Sequence, residues 1–387
     1  MKIKKIIALS AASLLVGGLG LTLGLTIGLN DKPTETPGFV NSSGANMSWS
    51  DLITGDKPVV NVEDDTVKSI DKTELDKICP GDNTFTLEIP EEAGITEIDF
   101  DAFNECMKLT SIKIPSTVEY IDTDAFYNCD NLVKVEFADN SSLVHIGYGA
   151  FTYCESLTDI VIPDTVTRIE ESAFIGCSSL QTINIPSGVT QFEHSVFKDC
   201  IRLSTITIDG TINNIAPYAF YNCKSLTTID NIIVNAVSIE QSAFSRCDGI
   251  TEVSYGSNLT NIGFEAFMDC QGLAKISFSS SKVVFDEAVY RNCINLVDVT
   301  LPKYTDTISN YMFYNCEDLS NITIDRSVQN IGYRAFMNCF KLNIKFVNID
   351  WVYSVDEEFN EITNIKMDTI QKQLADELAD YYFKLNI

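Results

Sequence analysis

Between residues 103 and 339 the apolar positions return in one fixed order. An aromatic residue is followed three positions later by cysteine at Phe103/Cys106, Phe126/Cys129, Phe151/Cys154, Phe174/Cys177, Phe197/Cys200, Phe220/Cys223, Phe244/Cys247, Phe267/Cys270, Tyr290/Cys293, Phe313/Cys316 and Phe336/Cys339. These eleven copies lie 23 residues apart, except for one interval of 25 and one of 24. Three residues after each cysteine stands an aliphatic residue such as Leu109, Leu157 or Leu203, followed by an alternating pair such as Ile112/Ile114, Ile160/Ile162 or Ile206/Ile208. Pro115, Pro163, Pro186 and Pro302 close four of the pairs. Alternating β-branched residues ended by a residue without an amide donor predict a short strand. A second apolar pair follows, as in Val118/Ile121, Val166/Ile169 and Val328/Ile331, and Ala-Phe then reopens the motif.

A unit of 23 residues cannot bury its own apolar side chains, but stacked copies bury one another's, with strands in a parallel sheet about 4.8 Å apart. The predicted fold class is therefore a repeat solenoid of short parallel β-strands. The residue before the cysteine is often one that tolerates left-handed backbone: Asn128, Gly176, Asp199, Asn222, Asp269, Asn292, Asn315 and Asn338. A tight turn at that point explains these residues without any chemistry.

The frame Leu-x-x-Ile-x-Ile-Pro, then Val-x-x-Ile, then Ala-Phe-x-x-Cys resembles the BspA-like (Treponema-type) leucine-rich repeat, over about residues 79–346. The resemblance implies a leucine-rich-repeat solenoid displayed on a bacterial or protist cell surface, in a family whose members serve as adhesins. The family motif fixes no binding residues, so none is carried over.

Strand alternation places Lys113, Glu136, Asn184, Thr207, Asp230, Ser254, Ser277, Thr300 and Thr323 on one outward face, with Tyr255 as its aromatic residue, and these are the candidate ligand contacts. Tyr127, Tyr221 and Tyr314, directly after the motif aromatic, are further candidates for exposed rings. The cysteines from Cys106 to Cys339 share one register and are expected to stack as a structural column. Neighbours about 4.8 Å apart sit beyond the Cβ separation of about 3.8 Å that a disulfide favours, so the column is expected to be reduced. Cys79 falls one unit earlier, in a region assigned to the N-terminal cap.

Outside the repeat, Lys2, Lys4 and Lys5 precede an apolar run from Ile6 to Leu29. As a helix those 24 residues reach about 36 Å, enough to cross a membrane with the lysines inside. Residues 1–29 are thus read as a transmembrane anchor or uncleaved signal, with a cleaved signal and secretion as the alternative. Residues 30–78, with ten acidic and five basic side chains, read as a stalk leading into the cap. Residues 347–387 hold nine acids against three bases. There Ile370, Leu374, Leu378 and Tyr381 predict a capping helix over about 366–383.

Composition narrows the function. With 54 Asp+Glu against 27 Lys+Arg the net charge is −27, which repels nucleic acid. The 45% hydrophobic content excludes wholesale disorder. Only two histidines occur, His145 and His194, in different registers, so no facing imidazole pair is expected. Acidic pairs such as Glu170/Glu171 and Asp99/Asp101 are expected by accident in so acidic a chain, and no Walker, Rossmann, Gly-x-Ser-x-Gly or His-Glu-x-x-His pattern is present. No catalytic, metal-ligating or cofactor-binding residue is assigned, and no enzyme activity is expected. The expectation is an exported binding module whose partner is an extracellular protein or glycan and whose only membrane contact is the N-terminal helix. The alternative is an envelope protein that packs laterally with itself.

Overall fold

The computed structural model describes residues 84–347 except Pro90 and Arg326, together with the backbone of the short strands Phe39–Asn41, Asn46–Met47, Val60–Asn61, Ser69–Ile70, Val352–Val355 and Ile362–Ile365. The helices expected at 6–29 and 366–383 lie outside the described residues, as does Cys79. Among the described residues no helix is long and apolar enough to cross a membrane.

Apart from the sixth, each repeat forms one coil with two strands. The longer strands pair in parallel, for example Thr182–Ile185 with Thr205–Ile208, in a register that sets Ile183 beside Ile206. This sheet runs from Phe85–Glu88 to Thr205–Ile208 and resumes from Glu252–Tyr255 to Asn343–Val347. The second row consists of two-residue strands such as Tyr120–Ile121, His145–Ile146 and Arg168–Ile169, also parallel. Backbone pairing carries this row past the repeat at both ends. Ser69–Ile70 joins Glu97–Ile98, Val352–Val355 joins Asn330–Ile331, and Ile362–Ile365 turns back antiparallel on the last of these.

The break in the long-strand sheet has a local cause. In the sixth coil the apolar residues Ile229, Ile232 and Ile233 fall at i, i+3 and i+4, the period of a helix face. Asp230–Ile233 accordingly forms a short helix that buries all three isoleucines. Its side chains take over the hydrogen bonds of the missing strand: Asn231 Nδ2 donates to the Ile206 carbonyl at 2.7 Å, and Asp230 Oδ1 accepts from Ser254 N at 3.1 Å.

Between the sheets lies a core of stacked columns. The motif rings from Phe103 to Phe336 form one continuous stack, with centroids such as Phe103–Phe126 at 4.9 Å and Phe313–Phe336 at 5.5 Å. Beside them the eleven cysteines of the column are buried. From Cys129 onward each thiol donates to the carbonyl of the motif aromatic one coil back, as in Cys129 Sγ to Phe103 O at 3.0 Å and Cys200 Sγ to Phe174 O at 3.1 Å. Cysteine suits the position because it is small and apolar yet offers a donor to a buried carbonyl. Burial raises the pKa of the thiols from Cys154 to Cys339, with Cys177 and Cys339 pushed up to about 12, so these stay protonated and unreactive at neutral pH.

Candidate binding surface: the turn ridge

The motif segment makes a turn in every coil. All eight residues expected to be left-handed before the cysteine have positive φ, and Glu105, Tyr153 and Arg246 fill that position in the remaining coils. A second left-handed position, which sequence reasoning missed, lies four residues earlier. It is held by Asp101, Asp124, Gly149, Ser172, Ser195, Tyr218, Ser242, Glu265, Ala288, Tyr311 and Arg334. In the first ten coils, at both positions and at the aromatic between them, the backbone N–H donates to a carbonyl of the next coil. In the first coil the bonds are Asp101 to Thr123, Phe103 to Ala125 and Glu105 to Tyr127, at 3.2, 2.6 and 2.7 Å. The alternation of left- and right-handed residues aims these amides forward and leaves the side chains to form an outer ridge.

From the fifth coil onward the ridge is rich in tyrosine and cations. Lys198 Nζ lies 5.9 Å from the Tyr218 ring centroid and 5.6 Å from that of Tyr221, whose ring also carries the Arg246 guanidinium at 5.6 Å. Arg291 covers Tyr314 at 5.5 Å, and Arg334 covers Tyr333 at 4.8 Å. Tyr311 packs edge-on against both Tyr314 and Tyr333, at 5.8 and 5.5 Å. These distances fall within the range of cation–π attraction. Carboxylates touch two of the cations loosely: Asp269 is 3.5 Å from Arg246 Nε, and Glu265 is 3.9 Å from Arg291 Nη1. Burial raises the Glu265 pKa, Arg291 lowers it and Asp269 raises it further. Among the described residues, Lys198 and Arg334 pair with no carboxylate.

The backbone marks this ridge as costly. Tyr218, Arg246, Tyr311 and Arg334 have φ of 59°, 63°, 55° and 51°, where most equivalent coils place serine, asparagine, aspartate or glycine, with Glu105, Tyr153, Glu265 and Ala288 as further departures. A bulky side chain in that region is strained, by roughly 1–3 kcal/mol per residue, and such strain collects at functional sites. Their signal in the sequence was the large residue standing where neighbouring copies carry a small or turn-forming one.

The strand face looks different. Lys113, Thr207, Ser254, Thr300 and Thr323 are exposed, and Glu136 and Ser277 are half-buried. Lys113 pairs with Glu88 at 2.7 Å and Glu136 with Lys134. Three candidates need correction. Tyr255 is only 1% exposed, because alternation that turns Ser254 outward turns Tyr255 inward; the Tyr290 hydroxyl donates to its Oη at 2.9 Å. Burial drives the pKa of both phenols well up. Asp230 belongs to the short helix, not to a strand. Asn184 is engaged with the preceding coil, its amide bonding both the N–H and the carbonyl of Ile162 at 2.7 Å where that coil's strand is short. Tyr127, Tyr221 and Tyr314 are half-buried on the ridge. An open groove of about 930 Å³ crosses the strand face at Lys113, Lys134, Glu136 and Val161, the last 72% exposed.

Among the described residues, each histidine lies beside a glutamate. His145 Nε2 lies 3.0 Å from Glu170 and His194 Nδ1 lies 3.1 Å from Glu171, so the imidazoles sit on opposite flanks of the coil between them. Glu97, Asp99 and Asp122 bring carboxylates within 4.8 Å of one another, and burial followed by Asp122 and Asp99 raises the Glu97 pKa.

A stack of parallel coils with a leucine, isoleucine and phenylalanine core at a 23-residue repeat defines a leucine-rich-repeat solenoid. The BspA type leucine rich repeat region profile matches residues 96–227, 227–343 and 285–384, in six copies, and the chain belongs to that family. Among solved structures it is similar to a leucine-rich repeat protein from Bacteroides ovatus, with 24% identity and a TM-score of 0.55 over 68% of this chain and 81% of that one. It also matches a leucine rich cell surface protein from Faecalibacterium prausnitzii, at 29% identity and a TM-score of 0.39 over 70% and 92%. A leucine rich repeat protein of Treponema pallidum matches at 21% identity and a TM-score of 0.32, over 56% and 80%. No curated protein sequence matches the chain.

Proposed function

We propose that the chain is an exported, surface-displayed binding module without enzymatic activity, which engages an extracellular protein or glycan through the turn ridge. The observation that carries this reading is the array of tyrosine, arginine and lysine from Lys198 to Arg334, in which Tyr218, Arg246, Tyr311 and Arg334 hold left-handed backbone. Tyrosine and arginine dominate the energetics of binding surfaces because they combine large contact area with directed donors. Membership of the BspA-type family and the lysine-led apolar run at Lys2–Leu29 support display outside the cell, with that run as the membrane anchor. A net charge of −27 argues against nucleic acid as the partner.

The test is to immobilise the full chain, pass over it a panel of matrix proteins and glycans, and run sedimentation in parallel at low and high concentration with and without calcium. Saturable binding by a chain that stays monomeric is the expected outcome. Reversible assembly with no ligand bound would replace this reading with that of a self-packing envelope protein.

A further inference from the structure

We infer that the ridge binds a linear acidic polysaccharide that carries one carboxylate per disaccharide, and this rests on the binding-module reading above. The inference comes from spacing. Within the motif segments from the fifth coil onward, Lys198, Arg246, Arg291 and Arg334 belong to the fifth, seventh, ninth and eleventh coils, so a cation recurs at every second coil. Lys198 and Arg291 directly follow the motif aromatic, Arg246 directly precedes the cysteine and Arg334 lies two residues before the aromatic. Parallel strands rise about 4.8 Å per coil, which places successive cations about 10 Å apart along the stack. An extended disaccharide spans about the same distance, so an anion on alternate sugars meets each cation in turn. Tyrosine rings lie between and beneath these cations and offer flat faces for the C–H side of a sugar ring.

The cations remain available to such a ligand. Lys198 and Arg334 have no carboxylate partner among the described residues, and the contacts of Arg246 and Arg291 with Asp269 and Glu265 are long, at 3.5 and 3.9 Å. A guanidinium has five N–H groups, enough to hold a second carboxylate beside the first. The overall charge of −27 does not forbid contact, because at physiological salt charges beyond about 8 Å are screened, and on the ridge from the fifth coil onward the four cations face three carboxylates, Asp199, Glu265 and Asp269. A neutral chain would make no use of the alternate-coil cations. A protein partner gives no reason for their even spacing.

The turn chemistry supplies variants that keep the fold. Arg246→Asn installs the residue found before the cysteine in five other coils, and Arg334→Ser installs the one that three coils carry at the earlier left-handed position. Both relieve backbone strain while removing a cation. The probe is hyaluronan, which carries one carboxylate per disaccharide, against its carboxyl-reduced neutral form, both applied to the immobilised full chain, with melting temperature recorded for each variant. The expected result is saturable binding to hyaluronan, at least about tenfold weaker binding to the neutral form, and a loss of about tenfold in affinity in each variant with an unchanged or higher melting temperature. Equal binding of the two polymers, or variants that bind as well as the parent, overturns the assignment. If neither polymer binds but a matrix protein does, the polysaccharide inference fails and the binding-module reading stands. If nothing in the panel binds, both fail.

Discussion

At the scale of single residues, the thiol of each cysteine and the hydroxyls of Tyr255 and Tyr290 show how the core handles polar atoms. The register of the cysteines was legible from their spacing alone, but their hydrogen bond to a backbone carbonyl was not, because it depends on the handedness of a turn in the coil behind. Tyr255 was misplaced for a simpler reason. Its neighbour Ser254 was correctly turned outward, and period-two alternation then demands an inward ring. Its hydroxyl is tolerated there because Tyr290 replaces phenylalanine in the motif and reaches it at 2.9 Å. Tyr255→Phe or Tyr290→Phe alone therefore strands a buried hydroxyl and is expected to cost about 1–3 kcal/mol, whereas the double variant should recover most of that loss. Urea denaturation of the four proteins measures the coupling, and strictly additive losses would mean the hydroxyls do not depend on each other.

At the scale of elements, the helix Asp230–Ile233 shows where repeat logic gives way to local sequence. The extra residue between Cys223 and Cys247 and the i, i+3, i+4 spacing of isoleucines were both visible in the chain. Aligning that coil to its neighbours by strand register concealed them. The helix pushes its C-terminal backbone toward the next coil, so that a Cβ built on Gly256 would lie 1.9 Å from the Val234 carbonyl oxygen. Backbone cannot step aside as a side chain can. Gly256→Ala is expected to destabilise the protein by about 3 kcal/mol or more in urea titration. Gly94→Ala, at φ +60° but with nothing within 4 Å of its Cβ, should cost only about 1 kcal/mol. Similar losses at the two sites would show that the contact with Val234 is not what excludes a side chain at Gly256.

At the scale of the whole molecule, stacking turns small local terms into collective ones. Burial raises the pKa of nine cysteines from Cys154 to Cys339. In the unfolded chain a thiol loses its proton near pH 8.5, so above that pH the native state binds more protons than the unfolded one and stability falls as pH rises. One pH unit higher, each such thiol has cost about 1.4 kcal/mol, and nine have cost about 12, comparable to the entire stability of an ordinary domain. In reducing buffer the urea midpoint should stay level up to about pH 8 and collapse between about pH 9 and 10. A midpoint that persisted past about pH 10.5 would contradict the protonated column. The solenoid itself was legible from periodicity, and the acidic balance from a count. The ridge was not, since its members are departures from the repeat that only the three-dimensional turn brings into line. The directed amides of that turn have one further consequence. Every coil meets its neighbours through the same forward-pointing donors and backward-pointing acceptors, so recombination between copies can lengthen or shorten the chain by one unit without creating a new kind of seam. From the fifth coil onward, however, the ridge carries its cations on alternate coils. Gain of a single unit within it would throw the cations out of phase, while gain of two would preserve their rhythm, so lineages that keep this ridge in use should vary their copy number there in even steps.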